Sequence, residues 1–192
     1  MATALVWFRN DLRLHDNETL HKAAQFDEVI PVYVFDPRQF STTSFGFPKT
    51  GPHRTRFLLE TVDHLRESLR DIGSELVIRH GTCEEELPET GCSSISVDTV
   101  FAQKEITAEE IAVEQAVEAS LQADLQFIWG HTLLHRDDIP YEPGGIPKVF
   151  TNFRKQCEKK ANCWRMLPHA AVTAAKSRRR GRAVYPQPVI WG

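Results

Sequence analysis

A chain of 192 residues, 41% hydrophobic and 26% charged, has the composition of one globular domain large enough to bury a full apolar core, so it needs no disulfide or metal staple. Its net charge of -3 argues against binding nucleic acid through bulk charge, which requires clustered Lys and Arg. No apolar run approaches the ~18 residues of a membrane span, and Met1-Ala2-Thr3-Ala4 leads straight into a strand-like run, so no signal or transit segment is expected within these residues.

Taken in chain order, the first predicted element is a strand, Leu5 to Phe8, with Trp7 expected in the core. Asp16 is placed to cap a short helix running through Ala24. A second strand covers Val29 to Phe35, and a long loop over 36–53 follows it. Leu58, Val62, Leu65, Leu69 and Ile72 recur at helical spacing and give one apolar stripe, with Gly73 at the expected C-terminal glycine position. Leu76 to Ile78 is the third strand and Ile95 to Phe101 the fourth. Thr107 and Glu110 match a capping box that opens a helix to about Leu121. Leu125 to Trp129 is the fifth strand, and Val149 to Lys160 reads as a last helix with Val149, Phe150, Phe153 and Cys157 on one side.

The strand runs are apolar almost continuously, as in strands buried on both faces of a parallel sheet. Strand–helix alternation then predicts an α/β fold: a doubly wound, five-stranded, Rossmann-like parallel sheet with helices on both faces. The domain is read as residues 1–161. Residues 162–192, with Arg178 to Arg182, are read as a linker-like basic tail.

In such sheets ligands dock beyond the carboxyl ends of the strands, at the point where the winding reverses. That focuses attention on Arg9, Asn10, Asp11 and Arg13 after the first strand, Asp36, Pro37 and Arg38 after the second, and Gln103, Lys104 and Glu105 after the fourth. Arg9, Asn10, Asp11, Arg13 and Asp16 read best as a mutually satisfied, braced turn. No G-x-G-x-x-G, Walker A or G-x-S-x-G sequence is present, which removes support for a nicotinamide site, a P-loop and a hydrolase elbow. His131 and His135 are spaced i, i+4 on a segment without helical pattern, so no metal pair is expected. Cys83, Cys92, Cys157 and Cys163 form no C-x-x-C pair and read as free thiols of a reducing intracellular compartment, with cytoplasm, nucleus and organelle left open.

Several strings carry a resemblance. They are Val6-Trp-Phe-Arg-Asn-Asp-Leu-Arg-Leu-His-Asp-Asn17, Pro31-Val-Tyr-Val-Phe-Asp-Pro-Arg38, Gly46-Phe-Pro-Lys-Thr-Gly51, Phe101-Ala-Gln-Lys-Glu105, Ile128-Trp-Gly-His-Thr-Leu133 with Asp137-Asp-Ile-Pro140, and Phe150-Thr-Asn-Phe-Arg-Lys155. Their order over roughly residues 4 to 160 resembles the N-terminal α/β domain of the photolyase/cryptochrome family, and the cryptochrome DASH group in particular. The resemblance implies an antenna chromophore in this domain, commonly methenyltetrahydrofolate and in some members a deazaflavin. It implies FAD only in a helical second domain that lies outside these residues, and contact with DNA only through that parent protein. The parent activity it implies is light-dependent repair of pyrimidine dimers or blue-light signalling. The domain alone is not expected to be catalytic.

Within that resemblance Glu105 is the first candidate for a chromophore contact. A pterin presents ring N3–H beside a 2-amino group, and one carboxylate accepts both. Lys104 is the weaker neighbour. Asp36 ends the second strand, where its plainer role is to brace a turn, and Phe35 or Phe40 is placed to cover one side of a flat ring. Lys49 and Thr50 lie in the long loop and are placed to close over a pocket. The expected partner is the FAD-binding helical domain; in its absence the exposed interdomain surface is open to homodimerisation, and no membrane contact is expected. Two rival readings are an interaction module of the same fold without chromophore, and a small nucleotide-binding enzyme or stress protein, the latter weakened by the lack of a phosphate loop.

Overall fold

The computed structural model describes residues 1–92, 96–132 and 134–160. The expectations for Ile95 and for the tail 162–192 lie outside the described residues. Five strands form one all-parallel sheet: β1 Thr3–Phe8, β2 Glu28–Phe35, β3 Val77–His80, β4 Thr99–Gln103 and β5 Asp124–Ile128, in the order β3-β2-β1-β4-β5. This is the doubly wound α/β arrangement expected from the alternating pattern.

Side chains alternate across the sheet with period two. Ala4, Val6 and Phe8 of β1, with Val29, Tyr33 and Phe35 of β2, face one apolar cluster with Leu20, Val62, Leu65 and Leu69. Leu5 and Trp7, with Ile30, Val32 and Val34, face a second cluster with Leu87, Val100, Ala102 and Val117. Helices α1 (Glu18–Ala23) and α2 (Pro52–Asp71) cover the first face; α3 (Cys83–Cys92) and α4 (Ala108–Ser120) cover the second. Each fully buried Leu or Val contributes roughly 1.5–3 kcal/mol, so the two faces together hold the sheet between them. Helix α5 (Phe150–Lys160) buries Cys157, whereas Val149 and Phe150 are exposed.

Several boundaries differ from the sequence reading. Asn17, not Asp16, caps α1: its side-chain oxygen accepts from the Leu20 N–H at 2.9 Å and its amide donates to the Arg13 carbonyl at 3.0 Å. Asp16 occupies a left-handed conformation, φ 51°, which short polar side chains tolerate. Helix α2 begins at Pro52, so the long loop stops at Gly51. Within that loop Pro37–Gln39 form a 3-10 turn and Thr42 pairs with Pro48 in an antiparallel bridge. The end of α2 matches expectation: Gly73, φ 82°, donates to the Arg70 carbonyl and Ser74 N–H reaches the Leu69 carbonyl at 2.8 Å, a Schellman closure. Strand β4 runs through Gln103, two residues beyond its expected end, because Lys104 N–H still bonds the Ile128 carbonyl at 2.8 Å. Helix α3 has no counterpart in the sequence reading; Pro88 lies inside it, and among its described side chains Cys83 and Leu87 join the core.

Candidate functional site

The winding reverses between β1 and β4, so their carboxyl ends open side by side. β1 delivers Arg9 and Asn10 there and β4 delivers Lys104 and Glu105. Glu105 is 1% exposed. Its Oε1 accepts from the Asn10 amide at 2.8 Å, and the same amide donates to Glu110 Oε1 at 3.1 Å. Its Oε2 accepts no hydrogen bond among the described residues, although His131 Nδ1 stands 3.2 Å away. Burial raises the Glu105 carboxyl above the usual range; the Asn10 hydrogen bond opposes this, the Glu110 charge adds to it, and the charges of Arg9 and His131 oppose it.

Glu105 is held in place by a second buried acid that sequence reading missed. Glu114 of α4 is 2% exposed. It accepts from Arg9 Nη1 at 2.5 Å, from the Glu105 backbone N–H at 2.9 Å and from Lys104 Nζ. Arg9 also donates to the Gln103 carbonyl at 3.2 Å and lies 4.6 Å from the Trp7 ring centre. Lys104 Nζ sits 4.7 Å over the Phe127 ring. The one sequence signal for Glu114 is its position three residues before the buried Val117, on the inward stripe of α4.

The braced turn expected after β1 is therefore divided. Arg13 and Asp11 do pair in a fork, at 2.9 and 3.0 Å, and Asp16 lies 3.7 Å from Arg13. Arg9 and Asn10 turn inward instead, to Glu114 and Glu105. The capping box at α4 is also modified: the Thr107 hydroxyl donates to Glu110 Oε2 at 2.9 Å while Glu110 reaches across to Asn10.

The remaining candidates sit one strand over or on the loop. Asp36 accepts from Arg38 backbone N–H and Nε, both at 2.9 Å, and from the Cys83 N–H at 3.3 Å, and Arg38 also bonds Glu84 at 2.7 Å. Burial alone would raise the Asp36 carboxyl, but Arg38 outweighs it and holds the group below the usual carboxylate range. Asp36 thus caps the turn after β2. Phe35 is wholly buried, edge-on to Tyr33 at 4.9 Å, with no face open to a ligand in this arrangement. Phe40 is half-buried against the same cluster. Thr50 donates to the Gln39 carbonyl at 2.7 Å, and Lys49 reaches Glu109 in the first turn of α4 at 2.8 Å. The loop is thereby fastened to the first turn of α4, four residues past Glu105 in the chain. Its tip carries Phe45 (84% exposed) and Phe47 (57% exposed), stacked with ring centres 6.2 Å apart.

On the α1 side of the same strand ends lies a cleft of about 450 Å³, walled by the β1–α1 turn and by Gln103, Ile128, Trp129 and His131. Among the described residues, no group of three His, Cys, Asp or Glu side chains is arranged to hold a metal ion, and no helix is long and apolar enough to cross a membrane.

Known proteins share this architecture. The family model described as DNA photolyase matches residues 4–176. Cryptochrome DASH of Gloeobacter violaceus is 48% identical over 176 residues, covering 88% of this chain and 34% of its own length. A chloroplastic/mitochondrial cryptochrome DASH of Oryza sativa subsp. japonica is 42% identical, covering 87% of this chain and 32% of its own. The crystal structure of a Synechocystis sp. cryptochrome superposes with a TM-score of 0.90 at 36% identity, covering 98% of this chain and 40% of its own. The chain spans about a third of the length of the curated relatives it matches.

Proposed function

The chain belongs to the DNA photolyase family, and from that premise we propose that it is the antenna-chromophore domain of a cryptochrome DASH-type blue-light flavoprotein. The resemblance to this family implies FAD and an antenna chromophore in the parent protein. In this reading the domain holds the antenna, a methenyltetrahydrofolate or, less fittingly, a deazaflavin, and FAD belongs to the remaining two-thirds of a full-length protein. Light energy absorbed here passes to that flavin, which serves pyrimidine-dimer repair or blue-light signalling in the whole protein. The DNA contact is likewise the parent protein's.

The observation that carries the reading is the buried carboxylate of Glu105 at the switch point, with one oxygen engaged by Asn10 and the other, beside His131, accepting no hydrogen bond among the described residues. A buried acceptor without a hydrogen-bond donor suits the N–H and amino edge of a pterin. Glu114, with Arg9 and Lys104, fixes the backbone that presents it. Lys49 and Thr50 would close the loop over the site, Phe40 would border it, and Asp36 and Phe35 support it from β2. Nothing in the arrangement makes or breaks a covalent bond; its chemistry is recognition and exclusion of water.

Titration of the purified chain with methenyltetrahydrofolate, read by absorbance and fluorescence, tests this. Saturable binding that Glu105→Gln abolishes is the expected result. Absence of binding to a chain shown to be folded by circular dichroism would refute it.

A second reading has its own observation. The stacked, exposed pair Phe45–Phe47 is an aromatic surface of the kind that meets a partner. We assign it to the flavin domain of the parent protein or, in its absence, to a second copy. Light scattering at rising concentration is expected to show a dimer that Phe45→Ser with Phe47→Ser returns to monomer; a wild-type chain that stays monomeric contradicts it.

A further inference from the structure

Two buried acceptors sit at the carboxyl end of β4. Among the described residues, Gln103 Oε1 and Glu105 Oε2 accept no hydrogen bond. Leaving a buried polar atom unpaired costs about 1–3 kcal/mol, so each is a place where a ligand donor adds stability. Gln103 lines the 450 Å³ cleft, whose size falls within the roughly 300–1,000 Å³ of small-molecule sites. Trp129 lines it too, its indole N–H tied to Thr132 Oγ1 at 2.9 Å and its ring therefore held. Across the cleft Arg13 is committed to Asp11. Glu105 itself stands behind His131, a half-exposed side chain that lines the cleft and keeps Nδ1 3.2 Å from Oε2.

We propose that this cleft is the route by which a flat heteroaromatic ligand with a ring N–H beside an amino group reaches Glu105, and that His131 is the gate it must displace. The inference rests on the reading of Glu105 given above and extends it. Oε2 takes one donor, Gln103 Oε1 takes a second, and the Trp129 ring supplies a stacking surface. His131 is half-exposed, so its swing toward solvent gives up one contact of 3.2 Å and little packing. That contact is worth at most about 1 kcal/mol, or roughly fivefold in affinity.

The test compares wild type, His131→Ala and Glu105→Gln, each titrated with methenyltetrahydrofolate. The Trp129 indole N–H is followed by nitrogen-15 NMR and assigned with Trp129→Phe. His131→Ala is expected to bind roughly fivefold tighter than wild type, Glu105→Gln to lose binding, and the Trp129 resonance to move on saturation. If His131→Ala binds no tighter than wild type while Glu105→Gln still abolishes binding, the gate is overturned and the Glu105 reading stands. Binding that leaves the Trp129 resonance unmoved also overturns the gate, because the ligand then enters elsewhere. No binding by any of the folded chains overturns both.

Discussion

Replacing Glu114 with Ala removes the acceptor at the centre of the switch point. The side chain of Arg9, 8% exposed, loses its ion partner, and breaking a buried pair from one side costs about 3–5 kcal/mol. The Glu105 N–H, which Glu114 accepts at 2.9 Å, is left open at a further cost that overlaps with the first. Lys104, about a third exposed, re-solvates and adds under ~1 kcal/mol. Arg9 keeps the Gln103 carbonyl and the Trp7 ring, so the net loss is placed at about 4 kcal/mol, a large share of the roughly 5–15 kcal/mol that holds a domain of this kind. Urea unfolding followed by circular dichroism measures it; with a slope near ~2 kcal/mol per molar the midpoint falls by about 2 M. The companion Arg9→Leu with Glu114→Leu removes both charges and is expected to lose less than Glu114→Ala alone, since no lone charge is buried. A loss below ~1 kcal/mol for Glu114→Ala, or a double variant worse than the single one, would refute the account of this network.

Glu105 and Asp36 have opposite pH signatures. The folded state raises the Glu105 carboxyl, so folded chains hold its proton longer than unfolded ones, and stability falls as pH climbs from the unfolded value near ~4.3 through the folded one. Glu105→Gln is expected to be more stable than wild type at pH 7 and to lose that advantage at pH 4, by thermal melts; an advantage larger at pH 4 contradicts the sign. Asp36 is held low by Arg38, so its contribution is present above about pH 4 and disappears as pH falls through the folded value. The stability gap between wild type and Asp36→Asn should therefore shrink from pH 7 to pH 3, and a constant gap would show that charge is not its source. Gly73→Ala should cost about 1–2 kcal/mol, because φ is 82° and no neighbouring atom lies within 4 Å of the added carbon; Gly73→Asn should cost less, and equal costs would point to something other than backbone strain.

How much of this was legible depended on where the physical signal resides. The stripe of α2 and its closing Gly73 are local: spacing and one left-handed residue suffice. The five strands declare themselves through continuous apolar runs, because central parallel strands are buried on both faces. Helix α3 stayed hidden because Pro88 and three leading acids mask a face that, among the described side chains, brings two residues to the core. The sequence reading places the α1 cap at Asp16; the structure gives it to the adjacent Asn17, a residue of equal capping chemistry whose amide also donates to the Arg13 carbonyl.

The sequence alone determined the α/β class and placed an acid, Glu105, just beyond β4, since both follow from periodicity and the rule for strand ends. Only the tertiary structure decided that β4 lies beside β1, which brings Asn10 to Glu105 across 95 residues and Arg9 to Glu114 across 105. Strand order is a long-range balance of burial that no local pattern encodes. A glutamate within a helix reads as solvated until that packing closes over it, and Glu114 becomes the buried centre of the site only then.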